Sequence, residues 1–423
     1  MNIIDELKWR GAINQQTDEE GLRKLTEEKS IALYCGIDPT GDSMHVGHLI
    51  PFMILKRFQL QGHQPVVLIG EGTGSIGDPS GRTSERELQT MEQIEKNAEK
   101  LSQQMRQLFD AGEEGSGIRL TNNYDWLGPL SFLEFLRDFG KEFNVNTMLA
   151  KEVVASRLDE GISFTEFSYQ IIQSIDFLHL FQNENVQLQV GGSDQWGNIT
   201  AGLDLIRRKE GVDAEAYGLT IPLLLKADGT KFGKSAGEAI WLDPEKTTPY
   251  EFYQFWFNQD DRDVDKYLKY FTFLSQEEIK ELAEQTEKEP HKRAAQKALA
   301  EEMTRFVHGQ DALDEALMIS EALFSGNVQN LSAEQIEMSF KDVPSMEAPK
   351  EEFNLIEFLV DVTNIEPSRR QAREDIKNGA IYIKGERIQD LDYTVNATDS
   401  FDERFILVRR GKKRYFMVHL VDN

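Results

Sequence analysis

Two short stretches hold residues that could handle a polyphosphate. His45-Val46-Gly47-His48 sits where a strand gives way to a helix, and Lys231-Phe232-Gly233-Lys234-Ser235 lies in a glycine-rich loop. A helix start offers free N–H groups and a partial positive charge, which suits phosphate. Gly47 has no side chain, so a flat base or a sugar can approach the backbone closely. His45 and His48, three residues apart, share one face and can donate to phosphate oxygens. Lys231 and Lys234 could close over the same group and neutralise charge developing in a transition state. Taken singly, the first stretch reads equally as a helix-capping pair and the second as a solvated loop; both in one chain, near strand ends, favour the chemical reading. A third constellation is Tyr169, Gln173 and Asp176, at i, i+4 and i+7 of a helical segment. They form a polar stripe among Phe167, Ile171, Ile172, Ile175 and Phe177, although by spacing alone that face could equally meet solvent.

Two glycine-rich matches fail on context. Gly72-Thr73-Gly74-Ser75-Ile76-Gly77 has dinucleotide-fingerprint spacing, but Asp78-Pro79-Ser80-Gly81 follows instead of a helix, and 92–99 is polar and helical where an acid-ended strand belongs. A phosphate loop of the GxxxxGK type fails because Asp78 stands where its lysine should. The histidine pair has no third metal ligand nearby, so no metal site is expected.

HVGH with KFGKS resembles the paired HIGH and KMSKS signatures of class I aminoacyl-tRNA synthetases. The segments YCGIDPTGDSMHVGHL, GTGSIGDPSGR, SYQIIQSIDF and GGSDQWGNI resemble the bacterial tyrosyl-tRNA synthetases within that family, over nearly the whole chain. KFGKS departs from the pattern in lacking the Met while keeping both lysines. The resemblance implies a tyrosine–tRNA ligase with magnesium–ATP as substrate and no structural metal. In that reaction the carboxylate of L-tyrosine attacks the α-phosphorus, giving tyrosyl-adenylate and pyrophosphate. The 3′ end of tRNA(Tyr) then takes the tyrosyl group. Because the carboxylate is already ionised, no general base is needed; positioning and charge stabilisation suffice.

The resemblance also implies residue roles. Thr40, His45, His48, Lys231 and Lys234 are the expected catalytic residues. Tyr34 and Asp176 are expected on the substrate phenol, and Asp78, Tyr169 and Gln173 on its ammonium. Gly36, Asp38, Thr40 and Gly47 would line the ATP site, with Cys35 and His48 on the ribose and Gly192, Asp194 and Gln195 contributing from GGSDQ. Cys35 could instead be a small buried hydrophobe. Arg82 and Arg86 could join the lysines on pyrophosphate, or be solvated charges at a helix start. A tryptophanyl enzyme is the nearest rival; Tyr34 with Asp176 and the C-terminal module favour tyrosine. A small-molecule nucleotidyltransferase leaves the basic C-terminus unexplained, and a non-catalytic RNA binder leaves HVGH and KFGKS idle.

These residues need a frame. Residues 31–37 and 65–70 read as short buried strands flanking a helix over 47–61, and further strands fit 118–120, 186–190 and 219–225. Helical stretches at 84–109, 130–139, 164–182 and 194–209 alternate with them. The expected class is α/β: a Rossmann-like doubly wound parallel sheet over 1–225, the KFGKS loop with an all-α domain over 226–324, and a small α+β RNA-binding domain over 351–423. Residues 325–350 read as a linker with one short helix. The apolar run 126–139 (WLGPLSFLEFLRDF) is a candidate interface for the homodimer the family resemblance implies, or a buried core helix.

Charge then narrows the partners. The 423 residues carry a formal net charge of −26, which at first argues against nucleic acid. Residues 351–423, however, hold 12 basic against 14 acidic residues, and 404–419 has six basic residues and no acidic one. Arg409, Arg410, Lys412, Lys413 and Arg414 mark a basic hairpin tip, and Arg369, Arg370, Arg373 and Lys377 line a helix at 367–377. That is the footprint expected for a phosphate backbone, although a solvated charged hairpin would look alike. The segment also resembles an RNA-binding module of a small-subunit ribosomal protein. One cysteine excludes a disulfide framework, and the polar start at Met1-Asn2-Ile3-Ile4 and the absence of a ~20-residue apolar run give no secretory or membrane signal. A cytoplasmic protein is expected.

Overall fold

Near-continuous apolar strands belong to a sheet covered on both faces, and the observed sheet is of that kind. The computed structural model describes residues 1–109, 117–235 and 237–422. Its contacts divide the chain into two units: Met1–Thr247 with Gln254–Val307, and Thr248–Tyr253 with His308–Asn423.

In the first unit, β1 (Gln15–Gln16), β2 (Ala32–Ile37), β3 (Gln64–Ile69), β4 (Arg119–Asn122), β5 (Val186–Gly192) and β6 (Tyr217–Ile221) form one sheet in the order β1-β6-β5-β2-β3-β4. All pairs are parallel except β1 with β6. The chain winds outward from β2 through β3 to β4, then returns to lay β5 on the other side of β2. The direction therefore reverses between β2 and β5, and in doubly wound sheets ligands bind outside the carboxyl ends of the strands at that point. Those ends carry Gly36 and Ile37, with Asp38 just beyond, on one strand and Gly191 and Gly192 on the other.

The helix Val46–Leu60 connects β2 to β3, and Tyr169–Glu184 leads into β5. Tyr34, Val66, Ile171, Ile175, Phe177 and Leu203 meet in the core between sheet and helices. Three expected elements differ in extent. The strand expected at 219–225 ends at Ile221 because Pro222 cannot donate to a ladder. The helix expected from 84 begins at Met91, since the Arg86 N–H is already taken by Glu166 Oε1 at 3.0 Å. The 130–139 stretch is a short α-turn, Phe132–Glu134, followed by a π-helical turn, Phe135–Phe139. Helices Asp261–Phe271, Gln276–Lys288, Ala294–His308 and Gln310–Ser325 fill the region read as all-α.

In the second unit five strands lie in the order Glu386–Ile388, Ile381–Ile383, Phe405–Arg410, Arg414–Val421, Ser345–Pro349. The helix Arg369–Lys377 buries Ala372 and Ile376 with Ile381, Ile406 and Val408. Residues 325–350 are therefore no free linker. Ser345–Pro349 pairs in parallel with the last strand and covers what would otherwise be an open edge. Leu331, Ile336 and Phe340 are buried with Phe401, Phe405 and Met417. No helix of the described residues is long and apolar enough to cross a membrane.

Candidate active site

A cavity of about 250 Å³ opens at the switch point. It is lined by Tyr34, Cys35, Gly36, Asp38, Thr40, His48, Asp78, Arg86, Tyr169, Gln173, Asp176, Gly192, Asp194 and Gln195, all expected at one site. A wider groove of about 1210 Å³ shares Arg86, Gly192 and Asp194 with it and adds Gly47, Arg82 and Lys231. Thr40, Arg82 and Arg86 also line a recess of about 190 Å³.

The helix Tyr169–Glu184 is buried along its polar stripe as well as its apolar one, so the solvent reading of that face fails. Asp176 is 1% exposed; its Oδ1 accepts from Trp126 Nε1 at 2.8 Å and its Oδ2 from Asn123 Nδ2 at 3.0 Å. Burial pushes its carboxyl up to about 8, partly offset by those two donors. Tyr34 is fully buried against Phe177, and its hydroxyl has no hydrogen-bond partner. Burial and the nearby Asp176 raise that phenol well above its ordinary range.

Three more carboxylates face the cavity. Asp38, expected on the nucleotide side, accepts from Thr73 Oγ1 at 2.6 Å and from the Tyr169 hydroxyl at 2.7 Å, which links it to the helix Tyr169–Glu184. Burial raises Asp38 to about 6. Asp78 accepts from Gln195 Nε2 at 2.9 Å and from the Ser80 N–H at 2.8 Å. Gln173 donates to Gln195 Oε1 at 3.2 Å and accepts from Asn198 Nδ2 at 3.0 Å. Burial, then Asp78, raises Asp194. Four acids around one cavity suit a cationic group, since an ammonium would lower the cost of ionising them together. Cys35 is buried in β2 and its thiol is pushed up to about 12, mainly by burial, so it stays a neutral thiol.

Sequence reasoning missed Asn123, Trp126, Thr73, Asn198 and Gln189. Gln189 lines the cavity, is 4% exposed, and its Oε1 has no partner. Its place in the expected strand VQLQV was the available signal, because alternation turns Gln187 and Gln189 to the same face. Trp126 stood inside the candidate interface run; its indole instead serves Asp176, while Phe132 and Leu133 of that run are exposed.

The two signature stretches meet. His45 caps the helix Val46–Leu60, accepting at Nδ1 from the Gly47 N–H at 3.1 Å, and His48 Nδ1 accepts from the His45 N–H at 3.2 Å. The rings stack at 3.7 Å. Burial, then Lys234, lowers His45, and burial, then His45, lowers His48 to about 3, so both are neutral. With Nδ1 accepting, the proton sits on Nε2, which leaves each ring one outward donor. The lysine loop packs on this turn: a side chain at Gly233, whose φ is +103°, would meet Val46 Cγ2 at 3.5 Å and the Gly47 nitrogen at 3.7 Å. Phe232, at the position of the Met in the KMSKS signature, is buried among Phe255, Trp256, Tyr267 and Phe271 and anchors the loop's base. Lys231 and Lys234 are exposed, and neither pairs with a carboxylate among the described residues.

In the second unit the expected basic face is only partly free. Arg370, Arg373, Lys377, Lys412, Lys413 and Arg414 are exposed. Arg369 pairs with Asp361, and the Arg409 guanidinium lies 3.7 Å over the Tyr382 ring. Arg410 Nε sits 2.9 Å from buried Glu366 and 3.2 Å from Asp375, so its charge is spent internally.

The family model of class I tRNA synthetases (W and Y) matches residues 26–325, and that of the tyrosine–tRNA ligase SYY-like C-terminal domain matches 335–418. The chain is 66% identical over 420 residues to tyrosine–tRNA ligase 2 of Bacillus cereus, covering 99% of this chain and 100% of that one. It is equally 66% identical over 422 residues to tyrosine–tRNA ligase 1 of Enterococcus faecalis, covering 100% of both. Among solved structures, a C-terminally truncated mitochondrial tyrosyl-tRNA synthetase from Aspergillus nidulans matches with a TM-score of 0.69 at 34% identity, over 76% of this chain and 94% of that one. With the HVGH turn, the KFGKS loop and the C-terminal module all inside these matches, the chain belongs to the tyrosine–tRNA ligases of the class I aminoacyl-tRNA synthetase family.

Proposed function

We propose that this protein activates L-tyrosine with ATP to tyrosyl-adenylate and then transfers the tyrosyl group to the 3′ end of tRNA(Tyr). The observation that carries the reading is Tyr34 and Asp176 in one buried cavity, the hydroxyl without a partner and the carboxyl held by two donors. A phenol gives both a partner, whereas phenylalanine leaves buried polar groups unpaired. Asp78, Tyr169 and Gln173 take the ammonium, and the carboxylate meets ATP in the same cavity, which Thr40 and His48 also line.

Magnesium–ATP is the second substrate, with its phosphates over the helix start at Gly47, where His45 and His48 present neutral Nε2–H donors. Lys231 and Lys234, with Arg82 and Arg86, neutralise the departing pyrophosphate. These groups bind and stabilise charge; none is required to move a proton. The exposed cations of the second unit serve the tRNA backbone. We read 1–225 as the catalytic part, 226–324 as the loop with its helices, and the basic segment within 351–423 as the RNA module. A homodimer accords with the exposure of Phe132 (66%), Leu133 (75%) and Phe164 (69%) on the first unit. A cytoplasmic location goes with these substrates. The test is aminoacylation: with ATP, magnesium and bacterial tRNA, labelled tyrosine should become acid-precipitable while phenylalanine and tryptophan do not. No charging with tyrosine would overturn the reading.

A further inference from the structure

We infer that Glu166 is a positioning residue that holds Arg86 at the phosphate end of the site. The inference rests on the ligase reading above, in which Arg86 meets pyrophosphate. Residues 79–90 contain no helix or strand, so nothing regular fixes Arg86 in place. Two hydrogen bonds do. The Arg86 backbone N–H donates to Glu166 Oε1 at 3.0 Å, and its Nε donates to the Asp78 carbonyl at 2.9 Å. The second bond uses Nε, and Arg86 lines the recess shared with Thr40 and Arg82.

Glu166 is 1% exposed, and its other oxygen accepts from Arg157 Nη1 at 3.0 Å, with Arg157 itself 2% exposed. The carboxylate is thus compensated from behind and spends its remaining oxygen on a backbone in front. With both oxygens engaged and almost no surface, it acts on the reaction through Arg86 and not on substrate. A buried ion pair can often be exchanged for apolar groups without loss of stability, whereas removing one partner strands a charge. An observed pair at such a place therefore points to a duty other than stability.

The test uses the full-length protein, with pyrophosphate–ATP exchange in the presence of tyrosine. Glu166→Leu alone strands the buried Arg157, so the main variant is Glu166→Leu with Arg157→Met. It should raise the KM for pyrophosphate about tenfold and leave the tyrosine Kd unchanged. Glu166→Gln with Arg157→Met, which keeps an acceptor for the Arg86 N–H, should restore exchange. In an Arg86→Ala background the Leu/Met pair should add no further loss. Loss of exchange in Arg86→Ala with none in the Leu/Met pair overturns the role of Glu166 alone, as do additive losses or an equal loss of tyrosine affinity. Unchanged exchange in Arg86→Ala overturns the assignment of Arg86 to phosphate, and the Glu166 inference with it.

Discussion

Trp126 donates its indole N–H to Oδ1 of Asp176 at 2.8 Å across 50 residues of sequence, and Asn123 fills Oδ2. The carboxyl we propose for the substrate phenol is thereby held by two donors. Trp126→Phe removes one donor and keeps most of the ring that stacks on His179 at 4.1 Å. Tyrosine affinity should fall about fivefold, on the order of 1 kcal/mol for one buried hydrogen bond. Equilibrium titration checks this, with phenylalanine binding expected to change less.

The same carboxyl makes a prediction about pH. Its folded value is about 8 against an ordinary 3.8, because burial disfavours the charged form. Between those values the native state holds a proton that the unfolded state has released. Stability from this group is therefore present below pH 3.8 and lost as pH rises through 8. Asp176→Asn has no such dependence, so its melting temperature relative to the parent should rise between pH 5 and pH 8 in ligand-free protein. Thermal unfolding at both pH values measures the difference.

Phe232 tests how the lysine loop is anchored. Phe232→Met puts the residue of the KMSKS signature there and should cost less than about 1.5 kcal/mol. Phe232→Ala empties a place among four aromatic rings and should cost about 3–5 kcal/mol. Urea unfolding separates them. Adenylate formation in the Ala variant should drop more than tyrosine binding, because the loop carries the lysines and not the amino-acid pocket.

For the RNA module, changing Lys412, Lys413 and Arg414 to Ala should raise the KM for tRNA and flatten its dependence on salt, since each phosphate contact releases counterions. Arg410→Ala should act differently. It uncovers Glu366, which is 1% exposed and already raised to about 7 by burial and by Asp375, so the loss should appear in stability. Filter binding across a salt series and thermal unfolding tell the two effects apart.

Most of the catalytic frame is legible because it is local. The 3.6-residue period puts Tyr169, Gln173 and Asp176 on one face, and a strand-to-helix turn at His45 follows from apolar runs on both sides. What supports those residues is not local. Asn123 and Trp126 reach Asp176, and Thr73 reaches Asp38, over 35 to 53 positions, and no periodicity encodes such pairs. The 325–350 segment misled because it is polar and short-ranged in pattern; its strand exists only by pairing with Arg414–Val421 at the far end of the chain. Net charge misled in the same way, as a sum that hid where the basic residues lie.

The central claim is that one buried pair, Tyr34 and Asp176, selects tyrosine for activation by ATP at the HVGH and KFGKS motifs. Pyrophosphate–ATP exchange, run with each of the standard amino acids in turn, tests it most directly. The account predicts exchange stimulated by tyrosine and by no other amino acid, abolished by Lys234→Ala. Exchange without any amino acid, none with tyrosine, or equal stimulation by phenylalanine would contradict it.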